Sequence, residues 1–266
     1  MMKHRISWLI TTFMLIIFLS SCAFIIVPYS PPGSSWPQQI IYDRTFPLTS
    51  GGQVDLAVEG LEAEVEIAGA DKEEVRIIAS QSLPFYRRGI VIAGSRQDSP
   101  RVEVEPLESR LKVKVTAKRQ TIFPVRLELR VPRRVELTPI FLESGNIFVR
   151  DLFGLVSVNL GTGNLKVSNF SGSLLALLDK GQIEAEVLDL REEDEINLMS
   201  GEGNISLLLE PQVSARLEAE APEGQISSDF PLDQSQSNQV SATLGAGKAK
   251  IVLTALKGDI KLKKNE

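Results

Sequence analysis

From about Phe46 onward, apolar residues recur at every second position. Leu61-Glu62-Ala63-Glu64-Val65-Glu66-Ile67 alternates strictly, as do Leu111 to Val115 and Val125 to Val131. That period marks a strand with one buried and one wet face, because successive side chains point to opposite sides. No window of ten or more residues carries the 3.6-residue period of an amphipathic helix. Prolines 84, 106, 124, 132, 139, 211, 222 and 231 fall at or near the ends of these runs, where a missing N–H is tolerated. The pattern predicts an all-β chain.

The second half repeats. Gly145-Asn146-Ile147, Gly163-Asn164-Leu165, Gly181-Gln182-Ile183, Gly203-Asn204-Ile205, Gly224-Gln225-Ile226 and Gly258-Asp259-Ile260 share one motif: Gly, then Asn, Gln or Asp, then an apolar residue that opens a strand. The first five glycines are spaced 18, 18, 22 and 21 along the chain, and the step to Gly258 is 34. The Gln- and Ser-rich run 234–239 within that step reads as an extra loop. A period of roughly 20 residues is the mark of a solenoid whose short units bury their apolar faces by stacking. The glycines are predicted as corners, where φ above zero excludes a Cβ, and Asn or Asp tolerates the neighbouring position. An antiparallel sandwich with Asn-Gly-like turns is the alternative architecture.

At these residues the chain resembles the bacterial putative-adhesin family, whose function is unknown and whose members are often lipoproteins or membrane-anchored. The stretch Gly201 to Leu209, Ala215 to Glu220, Ile226 to Phe230 and Lys257 to Ile260 carries most of the resemblance, which covers roughly 46–262 and is weaker before 130. The resemblance implies a right-handed parallel β-helix-like solenoid with an N-terminal β portion as its first coils or cap. It implies no catalytic residues.

Before the strands the chain has another character. Lys3 and Arg5 precede an apolar stretch from Ile6 to Leu19, followed by Leu19-Ser20-Ser21-Cys22. A positive start, an apolar core and small residues before a cut site make a secretory signal. The tetrapeptide resembles the lipobox of bacterial lipoproteins, which implies cleavage after residue 21 and lipid on Cys22. An uncleaved helix of roughly 20 residues is the alternative; either way the remainder lies outside the cytoplasm. Ala23 rather than Asp follows the cysteine, which under the lipoprotein sorting rule favours the outer membrane in a Gram-negative cell. Residues 22–45, rich in Pro, Ser and Gly, are expected to form a tether, with the folded domain at 46–262.

Composition narrows the chemistry. Of 29 basic residues, loss of Lys3 and Arg5 leaves 27 against 34 acidic ones, a balance that disfavours nucleic acid as a partner. The sole histidine, His4, lies in the expected signal, and Cys22 is the sole cysteine. Nucleophile systems that need imidazole, and zinc sites that need His or thiolate, therefore have no side chains to draw on. No cofactor or metal is expected. A non-enzymatic, membrane-anchored binding or structural scaffold follows, its protein or polysaccharide partner unspecified. The alternatives are a polysaccharide-active enzyme working with carboxylates and an accessory sensor of envelope state.

Several stretches invite chemistry. Gly245-Ala246-Gly247-Lys248-Ala249 lacks the spacing, the Ser or Thr and the helix of a phosphate loop. Gly161-Thr162-Gly163 and Gly201-Glu202-Gly203 lack the third glycine of a dinucleotide loop. Arg191-Glu192-Glu193-Asp194-Glu195 is an acidic loop with the oxygen ligands calcium prefers but no calcium-loop alternation. Asp151, Asp179 and Asp189 fall between repeat strands, where turns want Asp. Phe141, Phe148, Phe153 and Phe170 are predicted as core, an exposed partner patch being the alternative. Lys112, Lys114, Lys118, Arg119, Arg126, Arg130, Arg133 and Arg134 would line one wet face and discourage edge pairing, with an anionic polymer as the alternative partner.

Overall fold

The computed structural model describes residues 38–82, 100–117, 124–232 and 238–265. Every regular element among them is a strand: β1 (Gln38–Pro47), β2 (Gln53–Ala70), β3 (Glu74–Ser82), β4 (Arg101–Pro106), β5 (Arg110–Thr116), β6 (Val125–Pro132), β7 (Glu136–Thr162) and β8 (Leu165–Lys180). They continue as β9 (Ile183–Asp189), β10 (Glu195–Glu202), β11 (Ile205–Leu209), β12 (Ala215–Glu220), β13 (Ile226–Ser228), β14 (Gln239–Leu244), β15 (Ala249–Lys257) and β16 (Ile260–Lys264). The sixteen strands join in one hydrogen-bonded sheet. Cys22 and the signal lie outside the described residues. Among those residues no helix is long and apolar enough to cross a membrane.

The sheet is wound into stacked coils, each with two strand-bearing faces. The long β7 shows how. Its first part pairs with β2, while residues 147–162 pair in parallel with β8. Between them the chain turns back onto itself: Phe153 N–H donates to Arg133 O at 2.8 Å and Val135 N–H to Phe153 O at 3.2 Å. On the first face, 136–142, 154–162, 172–180, β10, β15 and β12 lie side by side. On the second face the neighbours are 144–150, 165–168, β9, β11, β16 and β13.

The alternating pattern explains the core. Leu127, Val65, Ile147, Leu165, Ile183, Ile205, Ile260 and Ile226 occupy one register through eight coils, and all are buried. On the first face Val158, Ala176, Leu198, Leu253 and Ala219 form a matching inward row. Each aliphatic side chain thus dries the one above and the one below. A fully buried Leu or Ile contributes about 1.5–3 kcal/mol by leaving water. No single coil could bury its inward side alone.

The coils do not all follow sequence order. At the N-terminal end β2 is flanked by β7 on one side and by β5 and β6 on the other, so the coil made of β5 and β6 lies outside the strand that precedes it. Beyond that coil, β4 runs antiparallel to β5, and β3 and β1 run antiparallel outward from β6. Strand β1 starts at Gln38, so residues 38–45, assigned above to the tether, belong to the sheet. Ile41, Tyr42 and Phe46 pack against the core, and Arg76 holds Asp43 with bonds of 3.0 and 2.8 Å.

At the C-terminal end the exchange is sharper. After β11 the chain lays down β12 and β13, adds β14 antiparallel to β12, and then returns. Strand β15 enters between β10 and β12, and β16 between β11 and β13. The Gly258 corner therefore does not follow the Gly224 corner with an inserted loop, as the spacing suggests; it sits between Gly203 and Gly224. The return is made by residues 245–248, which step across Ser214. Ser214 Oγ accepts the N–H of Ala246 at 3.1 Å and of Lys248 at 3.4 Å, and Ser214 O accepts that of Ala249 at 3.0 Å. Gly245 and Gly247 adopt φ of 55° and 68°, and a Cβ on Gly247 would meet Thr243 Cγ2 at 2.8 Å. The segment that mimics a phosphate loop is a tight crossover.

Candidate binding surface

The repeat glycines form a column. Gly145, Gly163, Gly181, Gly203 and Gly258 have φ between 130° and 152°. A Cβ on Gly163 would land on the carbonyl oxygen of Gly145, one on Gly181 on that of Gly163, and one on Gly258 on that of Gly203. Gly224 closes the column against Gly258 with a φ outside the left-handed region. The polar residue after each glycine ties neighbouring coils. Asn146 Oδ1 accepts the N–H of Asn164 at 3.0 Å, and Asn164 Oδ1 that of Gln182 at 3.1 Å. Asn204 Oδ1 accepts the N–H of Asp259 at 2.8 Å, and Asp259 Oδ1 that of Gln225 at 3.0 Å. These side chains satisfy backbone donors that the corner would otherwise orphan. The corner residues are placed for architecture and expose no reactive group.

The charged candidates are engaged with one another. Asp194 accepts the N–H of Arg191 at 2.7 Å and the hydroxyl of Ser173 at 3.3 Å. Glu195 pairs with Lys250 at 3.0 Å, and Glu192 pairs with Lys248. Asp151 takes a corner at φ 61°, where its carboxylate accepts from Arg150 and Asn169. The basic run does not make a positive face. Lys114 pairs with Glu59 at 2.9 Å and Arg133 with Asp71 at 2.6 Å, while Arg126 meets Glu64, Glu66 and Glu128, each at 3.0 Å. Lys118 and Arg119 lie outside the described residues. Arg150, donating a hydrogen bond, holds the Glu66 carboxyl below its ordinary value, and Arg126 adds to the effect. Lys180 does the same for Glu202, helped by Lys257. Among the described residues no cluster of three or more metal-ligating side chains forms.

The phenylalanines divide. Phe170 is fully buried in the core, but Phe141, Phe148 and Phe153 are exposed by 38, 37 and 43%. They do not form one patch: Phe141 lies on the first face and Phe148 on the second. The two faces differ outwardly. On the second face Phe148, Lys166, Glu184, Ser206 and Lys261 share one outward row, with Lys166 and Glu184 paired at 3.4 Å. On the first face two adjacent outward rows carry no charge over four coils: Ser157, Leu175, Asn197 and Val252, then Asn159, Leu177, Met199 and Thr254. Leu177 and Met199 are exposed by 43 and 38%. Charges border this band. Glu195 and Lys250 stand where the strands enter, and Lys180, Glu202 and Lys257 where they leave, with Lys180 and Glu202 at 3.1 Å. An apolar centre with a charged rim is the usual anatomy of a protein contact surface. Leu175 and Leu177 fall outside the alternating pattern, although Leu174 to Leu178 is an unbroken apolar run, the sign of a strand apolar on both sides.

At the entry border, a groove of about 340 Å³ opens across Gly154 and Gly172. It is lined on one side by Phe153 and Ser171 and on the other by Leu155 and Ser173, with Arg134 and Glu136 at one end and Asp189, Arg191 and Asp194 at the other. These residues are scattered in sequence from Arg134 to Asp194, and only coiling brings them together.

No curated protein matches the chain. Among solved structures, a putative cell adhesion protein from Clostridium sporogenes shares 12% identity over 85% of this chain and all of its own, with a TM-score of 0.53. A putative adhesin from Parabacteroides distasonis shares 9% over 85% of this chain and 97% of its own, with a TM-score of 0.31. A putative lipid binding protein from the same organism shares 13% over 84% and 96%, with a TM-score of 0.28. The first of these likenesses is one of fold. Residues 135–263, which hold the coils from β7 through the crossover to β16, match the family model described as Toastrack DUF4097, and that stretch is similar to the Toastrack family.

Proposed function

We propose that the chain is a non-enzymatic binding scaffold of the cell envelope, held to the membrane by lipid on Cys22 and lifted from it by the residues before β1. The uncharged band centred on Leu177 and Met199 carries this reading. Exposed apolar surface costs free energy in water, and a continuous patch ringed by ion pairs is what a partner would cover. The Clostridium structure is described as a putative cell adhesion protein, which agrees with a displayed contact surface. The carboxyls of Asp43, Glu66 and Glu202 are held low by arginine or lysine, whereas a general acid needs the opposite shift.

Two measurements test it. Cells displaying the full chain are scored for adherence to sibling cells and to mucin-coated plates. Leu177→Glu with Met199→Glu is expected to lower adherence by about tenfold or more, as for loss of a central contact, with Lys261→Glu on the second face as the silent control. Adherence equal to wild type in the double variant would sink the band. For the anchor, palmitate labelling should vanish in Cys22→Ala and fall with globomycin; retained labelling refutes lipidation there.

A further inference from the structure

The groove over Gly154 and Gly172 is a built feature of the stack. These glycines form a second column, with φ of 133° and 121°. A Cβ on Gly154 would approach Val135 O at 2.5 Å, and one on Gly172 would fall onto Gly154 O. The floor is therefore bare backbone, and nothing larger than hydrogen can rise from it. Above the floor stands the ring of Phe153. Its register partner in the next coil is Ser171, so no second ring stacks on it and its flank stays open over the groove. The backbone of Phe153 is fixed on both sides by its bonds to Arg133 and Val135.

The far end is equally set. Ser173 Oγ donates to Asp194 and accepts the N–H of Glu195 at 3.1 Å, and Asp194 in turn accepts the N–H of Arg191. The rim offers two guanidiniums, Arg134 and Arg191, and three carboxylates, Glu136, Asp189 and Asp194. Each end of the groove carries both a donor and an acceptor, and two positive groups against three negative ones leave a small negative balance. Such a rim gives a phosphate or polyanion no net attraction. It suits a ligand with a flat apolar face and a margin of groups that both donate and accept hydrogen bonds. A pyranose has that character: axial C–H bonds on one side, which the negative face of an aromatic ring attracts, and hydroxyls around the edge. The groove's volume falls in the roughly 300–1,000 Å³ range of small-ligand sites.

We propose that this groove binds a sugar ring of a neutral glycan, with Phe153 against the C–H face and Arg134, Asp189 and Arg191 on the hydroxyls. The assignment rests on the chain being a binding scaffold, but it does not depend on the uncharged band. The full chain in detergent micelles is titrated with maltohexaose, cellohexaose, chitohexaose and mannohexaose, followed by saturation-transfer NMR and calorimetry. At least one should bind with Kd of about 0.1–1 mM, the weak end of small-ligand affinity. Phe153→Ala should weaken it about tenfold, the scale of one aromatic contact, and Phe148→Ala on the second face should leave it unchanged. Asp189→Asn supplies a second reading should Phe153→Ala fail to fold by circular dichroism. Silence from all four hexaoses at about 10 mM, well above that range, overturns the proposal. So does binding indifferent to both variants, or tighter binding of hexagalacturonate. Silent hexaoses with adherence still lost in the Leu177/Met199 double variant remove the groove and keep the scaffold. Glycan binding with adherence unaffected does the reverse for the band.

Discussion

The coils between Glu136 and Leu209 and those beyond Leu209 use the same parts but are assembled by different rules. In the middle, each coil lies against the one made just before it, and the glycine steps of 18, 18 and 22 are distances along the stack. Past Leu209 that correspondence fails. Strands β12 and β13 are laid down first, and β15 and β16 are slotted in behind them. In the middle Asn146 meets Asn164 across a separation of 18, whereas Asn204 meets Asp259 across 55. Chemistry at the corners is the same in both regions; only the loops that must close are longer. Stacking specifies which surfaces meet, and the connecting segments decide the order.

The largest expected effect of this difference comes from truncation. Ending an ordinary solenoid one repeat early removes one interface, because contacts are between nearest neighbours. Ending this chain at Lys248 removes β15 and β16 and, with them, contacts on both sides, to β10 and β11 and to β12 and β13. We expect loss of cooperative urea unfolding rather than a modest shift of midpoint. A truncated chain that unfolds cooperatively with a proportionally smaller m value would contradict the placement.

Next in size, Gly163→Ala and Gly258→Ala should each cost more than about 3 kcal/mol, since each adds left-handed strain to a collision with backbone. The two should differ in extent. By hydrogen exchange, Gly163→Ala should deprotect the coils around β8, while Gly258→Ala should also release β12 and β13, which are joined to the rest of the stack through β15 and β16. Equal, local deprotection in both would erase the distinction.

A smaller change sharpens the order itself. Asn204→Ala should cost about 1–2 kcal/mol by leaving a donor unpaired, and the amide that exchanges faster should be that of Asp259. Faster exchange at Gln225 instead would mean that the corners stack in sequence order. Smallest is the response to acid. Glu66 and Glu202 both have folded-state pKa values below the unfolded ones, so their contribution is present above the ordinary carboxyl range and fades as pH falls through the lowered values. Glu202 touches Lys180 and Lys257, one on each neighbouring coil. The urea midpoint should fall on acidification, and Glu66→Gln should reduce that fall slightly, by no more than about 1 kcal/mol for so exposed a pair. A midpoint flat with pH would show these pairs to be ornamental.

What sequence revealed followed the same division. Alternation and the Gly-Asn-Ile corners are local signals, since a strand face needs only its own residues and a corner only its own φ. The all-β solenoid and its central corners were therefore legible. The position of Gly258 was not, because its distance from Gly224 counts residues without saying on which side of Gly224 they return; Gly245 and Gly247 held the clue as a crossover. Strand β1 was hidden among prolines because its inward residues, Ile41, Tyr42 and Phe46, are interrupted by a register shift after Ile40, which itself faces outward. The candidate surface was least readable. The apolar run at Leu174 to Leu178 announced an outward apolar side, but Phe153, Arg134 and Asp189 become neighbours only once the chain has coiled.

The slotted coil also has a meaning for biosynthesis. A protein leaves the ribosome from its N-terminus, and most repeat stacks can settle turn by turn as they emerge. Here β15 and β16, made after β12 and β13, fill a gap in the interior of the stack, so β10 and β12 each wait with an unpaired edge until β15 emerges. Until then both edges are open to any passing strand. A chaperone that shields such edges during synthesis or transit would matter more to this protein than to a solenoid whose coils stack in sequence order.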